Sequence, residues 1–242
     1  MKDLRIVFMG TPDFAVTILK HLVENKFTIV GVITAPDKPA GRGRKLNESA
    51  VKEYAKSQDL HIMQPTNLKA ESFTQELAAL KADIQIVVAF RMLPEKVWNM
   101  PPMGTFNLHA SLLPNYRGAA PINWAIINGE KESGLTTFFL KHEIDTGDLL
   151  LQEKVKIDTN ETAGSLHDKL MIAGGGLVLK SLEKIEEGSL NLTEQNKLIS
   201  NASDIKLAPK IFKEDCRINW NKAAVEIDAF IRGLSPYPTA WS

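Results

Sequence analysis

Residues 104–110 read Gly-Thr-Phe-Asn-Leu-His-Ala, and this stretch is the most informative in the chain. The run predicts a buried β-strand, in which residues two apart point to the same side. Asn107 and His109 therefore share one face near the carboxyl end of the strand. Open α/β sheets bind their ligands at that end of their strands. We expect a functional site that includes the Asn107 carboxamide and the His109 imidazole.

Further strands and helices alternate on either side of this stretch. Continuous apolar runs of this kind, separated by helices, are typical of a mostly parallel sheet covered by helices on both faces. We predict an α/β, Rossmann-like fold. Residues 10–15 read Gly-Thr-Pro-Asp-Phe-Ala, where dinucleotide-binding proteins carry a G-x-G-x-x-G turn, which argues against an NAD-dependent oxidoreductase. The predicted strands are Leu4–Met9, Phe27–Thr34, Ile84–Phe90, Thr105–His109, Leu135–Leu140 and Leu149–Ile157.

Composition excludes several other classes of protein. The chain has 242 residues, 44% of them hydrophobic, and a formal net charge of +0, so bulk charge does not indicate a nucleic-acid binder. A single cysteine, Cys216, leaves no internal disulfide and no multi-cysteine zinc site. No run approaches the roughly 20 apolar residues that span a bilayer, and no signal-peptide core follows the N-terminus. We expect a soluble, cytoplasmic, metal-free protein.

The pattern changes along the second half of the chain. Thr162 is a suitable cap for a long helix that ends at Gly188. We predict a catalytic domain over 1–188, a linker over 189–207 and the beginning of a second domain over 208–242. The last residues, 236–242, look like the opening of a strand. We expect this end of the chain to pack loosely and to lack strand partners, and we expect the chain to be a piece of a longer protein.

The polar residues that follow the Asn-Leu-His stretch favour one kind of chemistry. An amide beside an imidazole suits acyl transfer, because Asn can hydrogen-bond a developing oxyanion and His can stabilise the same charge or move a proton. Asp145 opens the run Asp-Thr-Gly-Asp over 145–148. Taken separately, His109 could be a core residue and residues 145–148 an ordinary turn. The intervening stretch Ser-Leu-Leu-Pro at 111–114, followed by Arg-Gly at 117–118, makes the combination more specific.

This combination resembles the folate-dependent formyltransferases. The resemblance implies N10-formyltetrahydrofolate as the formyl donor, with no metal and no covalent enzyme intermediate. The catalytic residues it implies are Asn107, His109 and Asp145, of which the first two stabilise the oxyanion and the third orients the imidazole and helps to move the proton of the amine. The residues that it places along the folate are Ser111, Leu112, Leu113 and Pro114.

The loop at 36–45 distinguishes between acceptors. It carries four basic residues and one acidic residue among glycines and prolines, and it could be a solvated loop or a phosphate-binding one. It resembles the inserted loop of the branch of that family whose acceptor is methionyl initiator tRNA and whose second domain is a small β-barrel. We expect a monomer with the loop mobile in the absence of tRNA. Sugar-nucleotide formyltransferase, formyltetrahydrofolate hydrolase and non-catalytic tRNA-binding protein remain alternatives. The implied tRNA contacts are Lys38, Arg42, Arg44 and Lys45.

Overall fold

The computed structural model describes residues 4–40 and 45–242, and the chain divides into two compact units, Met1–Leu108 and His109–Ser242. The strands are β1 Arg5–Gly10, β2 Thr28–Ile33, β3 Lys38–Ala40, β4 Lys45–Asn47, β5 Ile62–Met63, β6 Ile84–Val88, β7 Thr105–His109, β8 Arg117–Gly118, β9 Glu132–Phe139, β10 Leu149–Lys156 and β11 Leu207–Ala208. The helices are α1 Asp13–Glu24, α2 Ala50–Ser57, α3 Glu71–Ala79, α4 Glu95–Trp98, α5 Pro121–Ile127, α6 Ala163–Glu186 and α7 Ala224–Gly233. Short 3-10 helices span Gln195–Leu198, Ala202–Asp204 and Glu214–Cys216.

A parallel sheet forms the core of the first unit. Its strands follow the order β7-β6-β1-β2-β5, and each neighbouring pair is parallel. The side chains of 6–9 in β1 are completely buried, because a strand inside a parallel sheet is covered on both faces. Helix α1 buries the predicted stripe of Phe14, Ile18 and Leu22. The predicted mostly parallel, Rossmann-like fold is confirmed, and β7 has the predicted bounds.

The second unit is built on an antiparallel pair and one long helix. Strands β9 and β10 pair antiparallel, and α6 packs against both. The Thr162 hydroxyl accepts a hydrogen bond from the Ser165 backbone N–H, and the Ser165 side chain accepts one from the Thr162 N–H. This reciprocal cap satisfies two N–H groups that the first turn leaves without helical partners. Gly188, at φ 62°, follows the helix end. Both predicted helix signals are therefore confirmed.

The end of the chain is held more closely than its sequence predicts. Helix α7 lies so near α5 that a Cβ on Gly233 would be 2.5 Å from Cγ1 of Ile127. Trp241 has a strand partner as well: its N–H donates to the Cys216 carbonyl at 3.0 Å, and its carbonyl accepts from Ile218 at 2.7 Å. The expectations of loose packing and of no partners for the last residues are wrong. The absence of a Cβ at Gly233 permits the close helix contact.

Candidate active site

His109, the last residue of β7, is held by hydrogen bonding at one ring nitrogen. The side chain is buried, and Nε2 lies 2.8 Å from the carbonyl oxygen of Tyr116. Because a carbonyl only accepts hydrogen bonds, the Nε2 atom carries a proton and donates it. The other ring nitrogen, Nδ1, faces Oδ2 of Asp145 at 3.9 Å. In the neutral ring, Nδ1 is therefore the nitrogen that carries a lone pair and can accept a hydrogen bond.

Asp145 is fixed through both its side chain and its backbone. Its Oδ2 accepts a hydrogen bond from the Gly118 N–H at 2.9 Å. At 3.9 Å from Nδ1, the carboxylate is beyond hydrogen-bond distance, so it interacts with a protonated His109 as a charge. Asp145 and Tyr116 have φ of 54° and 61°, left-handed conformations that cost non-glycine residues about 1–3 kcal/mol each. Both residues that face the imidazole therefore have backbones that the surrounding structure must hold in place.

Asn107 stands two residues before His109 on the same strand. Side chains two apart on a strand leave it on the same side, so Asn107 and His109 project in one direction. Asn107 is half-buried, with a buried residue on each side of it. Its predicted role as an oxyanion donor remains a prediction.

The predicted folate-contacting stretch, residues 111–114, contains two buried residues that hydrogen-bond within the protein and two half-buried residues. Ser111 is buried, and its hydroxyl donates to the Asn115 carbonyl at 2.7 Å. Leu113 is also buried; its N–H donates to Thr136 Oγ1 at 3.2 Å, and its carbonyl accepts from Gln152 Nε2 at 2.8 Å. The half-buried side chains of this stretch are those of Leu112 and Pro114.

The sequence did not predict Gln195 beside Asp145, and it pointed to Arg117 only as part of the motif that begins at Ser111. The amide of Gln195, which is 1% exposed, bridges the guanidinium of Arg117 and the backbone of the Asp145 turn. Burial lowers the pKa of Arg117 from its ordinary value, while the charges of Asp145 and Glu143 act to raise it. Arg117 remains a cation near neutral pH. No sequence pattern near Gln195 indicates that it lies beside Asp145, since it is in the stretch predicted as a linker.

The predicted tRNA loop begins and ends in a short β-hairpin. Strands β3 and β4 pair antiparallel, with Lys38 opposite Asn47, where the sequence predicted only a loop. At its base, hydrogen bonds from Lys52 and then Gln64 lower the pKa of Asp37. Lys38 is exposed. The backbone of Lys45 lies in β4, and Arg42 and Arg44 lie outside the described residues.

A cavity of about 580 Å³ in the second unit lies apart from these residues. Ala120, Lys210, Cys216 and Trp241 are among its lining residues, and no predicted site residue is. Within 4–40 and 45–242, no group of three His, Cys, Asp or Glu side chains is arranged to hold a metal ion. In those same ranges, no helix is long and apolar enough to cross a membrane.

Family comparison identifies the chain. The model of the formyl transferase family matches residues 4–182, and that of the formyl transferase C-terminal domain matches residues 210–242. The chain belongs to the formyl transferase family. A methionyl-tRNA formyltransferase of Bacteroides fragilis is 59% identical over 241 residues, which is 100% of this chain and 74% of the relative. That of Phocaeicola vulgatus is 62% identical over 242 residues, 100% of this chain and 75% of the relative.

Solved structures share the formyltransferase fold at lower identity. An N-formyltransferase from Helicobacter canadensis, in complex with folinic acid and dTDP-3-aminofucose, has a TM-score of 0.71 at 24% identity. The match covers 95% of this chain and 80% of that one. HypX from Aquifex aeolicus, in complex with tetrahydrofolic acid, has a TM-score of 0.70 at 19% identity, covering 99% of this chain and 36% of that one. At these identities the likeness establishes the fold alone.

Proposed function

We propose that this chain transfers the formyl group of N10-formyltetrahydrofolate to the α-amine of methionyl initiator tRNA. The observation that carries the proposal is the 59% to 62% identity, over the whole chain, to proteins named methionyl-tRNA formyltransferase. Relatives that formylate sugars support only a shared fold, at 24% identity and below. A hydrolase would use water as its acceptor, and water needs no basic docking surface.

The reaction needs a charge to be stabilised and a proton to be moved. When bound, N10-formyltetrahydrofolate supplies the formyl group. The amine nitrogen bonds to the formyl carbon, the bond from that carbon to N10 breaks, and one proton passes from the amine to N10. The Asn107 amide donates to the formyl oxygen as negative charge develops on it, an interaction that is strongest in the transition state.

In this mechanism His109 carries the proton from the amine to N10, and Asp145 stabilises the charge on His109. With Nε2 occupied by the Tyr116 carbonyl, Nδ1 accepts the proton of the attacking amine and releases it toward N10. The Asp145 carboxylate, 3.9 Å from Nδ1, stabilises the imidazolium that exists between these two transfers. The carbonyl and the carboxylate together determine the direction in which the ring presents Nδ1.

The donor site rests on the stretch at 111–114. Leu112 and Pro114 are half-buried and provide apolar surface for the folate, while the buried Ser111 and Leu113 hold the backbone through hydrogen bonds. The donor is then oriented by a rigid segment, which lowers the entropy lost on reaching the reacting geometry.

The acceptor is recognised by the basic hairpin. Lys38, Arg44 and Lys45 bind phosphates of the acceptor arm, and Arg42 contacts a base edge. The Asp37–Lys52 pair anchors the base of the hairpin, and the side chain of Lys38, next to Asp37, is exposed. No metal is required by this mechanism.

An assay that compares acceptors tests the proposal. The chain is incubated with N10-formyltetrahydrofolate and, in separate reactions, methionyl initiator tRNA, a dTDP-amino sugar, or no acceptor. We expect formylation of the tRNA amine and negligible formate release without acceptor. Asn107→Ala, run in parallel, controls for contaminating activity. Preferential formylation of the sugar, or rapid formate release, would overturn the proposed acceptor.

A further inference from the structure

The side-chain amide of Gln195 uses its full hydrogen-bonding capacity on groups around Asp145. Its Nε2 donates to the carbonyl oxygens of Asp145 and Gly147, both at 2.8 Å. Its Oε1 accepts from Nε and Nη2 of Arg117, at 3.0 and 2.6 Å. Because carbonyls only accept and a guanidinium only donates, the orientation of the amide is unambiguous.

These bonds belong to a closed ring that contains the Asp145 carboxylate. Gln195 joins Arg117 to the backbone of Asp145, and the Asp145 carboxylate returns to the N–H of Gly118, the neighbour of Arg117. The same ring therefore holds the peptide and the side chain of Asp145. Its left-handed φ of 54° is a conformation that persists only where several contacts enforce it.

The rest of the segment that carries Gln195 is attached to the same loops. Thr193 and Leu149 exchange two backbone hydrogen bonds, at 2.9 and 3.1 Å, just after the Asp145 turn. On the other side, β11 pairs with β8, and a Cβ on Gly118 would lie 2.4 Å from the Ala208 carbonyl oxygen. Gln195 is thus brought to Asp145 by backbone pairing on both sides of it, although 50 residues separate the two.

We propose that Gln195 is a positioning residue for formyl transfer, setting the backbone of Asp145 and thereby the placement of its carboxylate against Nδ1 of His109. The inference deepens the proposed function and rests on it. Gln195 touches neither substrate in this scheme, so its effect falls on the proton-moving step. A shift of the Asp145 carboxylate changes its attraction to the imidazolium without changing the surface that either substrate contacts.

Gln195→Met tests this role, because it keeps the length of the side chain and removes all its hydrogen bonds. We expect kcat to fall by roughly 10-fold to 100-fold, the size of effect that a misplacement of about 1 Å produces. The KM values for folate and tRNA should stay within about twofold, since substrate surfaces are intact. Lys197→Ala, an exposed change in the same 3-10 helix, is the matched control and should leave kcat unchanged.

The same substitution in an Asp145→Asn background separates positioning from a general effect on folding. If Gln195 acts through the Asp145 carboxylate, Gln195→Met should reduce kcat little in that background, because the group it positions is already disabled. An equal reduction in both backgrounds would overturn the proposal. If Gln195→Met does not fold, Gln195→Glu replaces it: the carboxylate still accepts from Arg117 but repels the carbonyls of Asp145 and Gly147, so the same loss of kcat is expected.

An NMR comparison without substrates keeps this test independent of the acceptor. Displacing the backbone and the carboxylate of Asp145 changes the surroundings of the imidazole that faces it, so the backbone amide signal of Asp145 and the ring signals of His109 should shift in Gln195→Met and stay in place in Lys197→Ala. Unchanged signals together with unchanged kcat overturn the inference. Shifted signals in a chain that formylates no tRNA would instead leave Gln195 supported and reject the proposed acceptor.

Discussion

The His109 region and the base of the basic hairpin differ in how their described polar groups are held in the protein. The His109 region comprises His109, residues 111–118, Asp145 and the groups that hold them; His109 and Ser111 are buried, and hydrogen bonds within the protein hold both His109 and Asp145. The hairpin is a pair of three-residue strands with an exposed Lys38 and one anchored carboxylate, Asp37, at its base. Proton transfer requires fixed distances of a few ångströms, whereas attraction to a polyanion tolerates movement. The roles proposed for the two regions therefore make different demands on their side chains.

Replacing Asn107 tests the claim that the catalytic groups act by fixed placement, and it has the largest expected effect. Asn107→Ala should lower formyl transfer by about 10²–10³-fold, the usual loss for one oxyanion donor. The fall should appear in kcat, measured with saturating folate and tRNA, because the bond forms fully only in the transition state. Circular dichroism checks that the variant folds. Near-normal turnover in a folded Asn107→Ala would remove the residue from the mechanism.

Replacing Arg42 tests whether the hairpin distinguishes one tRNA from another, in addition to attracting tRNA phosphates. Arg42→Ala should cost about 1–3 kcal/mol more with initiator than with elongator methionyl-tRNA if the guanidinium contacts a base edge. Lys38→Ala is the matched control: as a phosphate contact it should weaken both tRNAs alike and reduce the salt slope of binding by about one charge. Formylation rates of both tRNAs across a salt series measure the two effects. Equal losses in Arg42→Ala would make it another phosphate contact.

Two glycine substitutions, compared with each other, test the claim that the His109 region is closely packed. A Cβ on Gly134 would lie 2.2 Å from the Glu153 carbonyl oxygen and 2.5 Å from Cδ2 of Leu112, so Gly134→Ala should destabilise by about 1–3 kcal/mol. Gly176, in α6, has no heavy atom within 4 Å of a built Cβ, so Gly176→Ala should stabilise by about 0.5–1 kcal/mol. Urea unfolding measures both. Equal stabilities for the two variants would contradict close packing around Leu112.

The smallest expected effect concerns pH and the support of Tyr116. Burial alone would raise the pKa of Glu130, but hydrogen bonds from Lys206 and Tyr116 lower it by more. The pKa of this carboxyl therefore lies below its ordinary value of 4.5. A depressed carboxyl pKa contributes stability that is present above the unfolded value and is lost as the pH falls through the folded value. The Tm of the parent chain should therefore decrease below about pH 4.5 more than that of Glu130→Gln. Parallel thermal scans from pH 7 to pH 3 measure the difference; identical curves would exclude this contribution.

The elements that could be predicted from the sequence are those with local causes. Strand β7 was placed correctly, because its residues form a short apolar run after Gly104. The cap at Thr162 and the stop at Gly188 were also placed correctly, because both depend on side chains and φ values within a few residues. The end of the chain was misjudged because Trp241 finds its partners at 216–218, and no local pattern shows them.

For the candidate site, sequence by itself determined which chemical groups are available and which of them share a strand. Asn107 and His109 are two residues apart on one strand, and their side chains leave it on the same side because the side-chain period of a strand is two. Only the tertiary structure decided how the second unit holds His109: the carbonyl of Tyr116 at Nε2, the carboxylate of Asp145 near Nδ1, and Gln195 behind Asp145. Those contacts join segments far apart in the chain, and they form only when strand pairing and burial bring buried donors and acceptors close enough to satisfy one another.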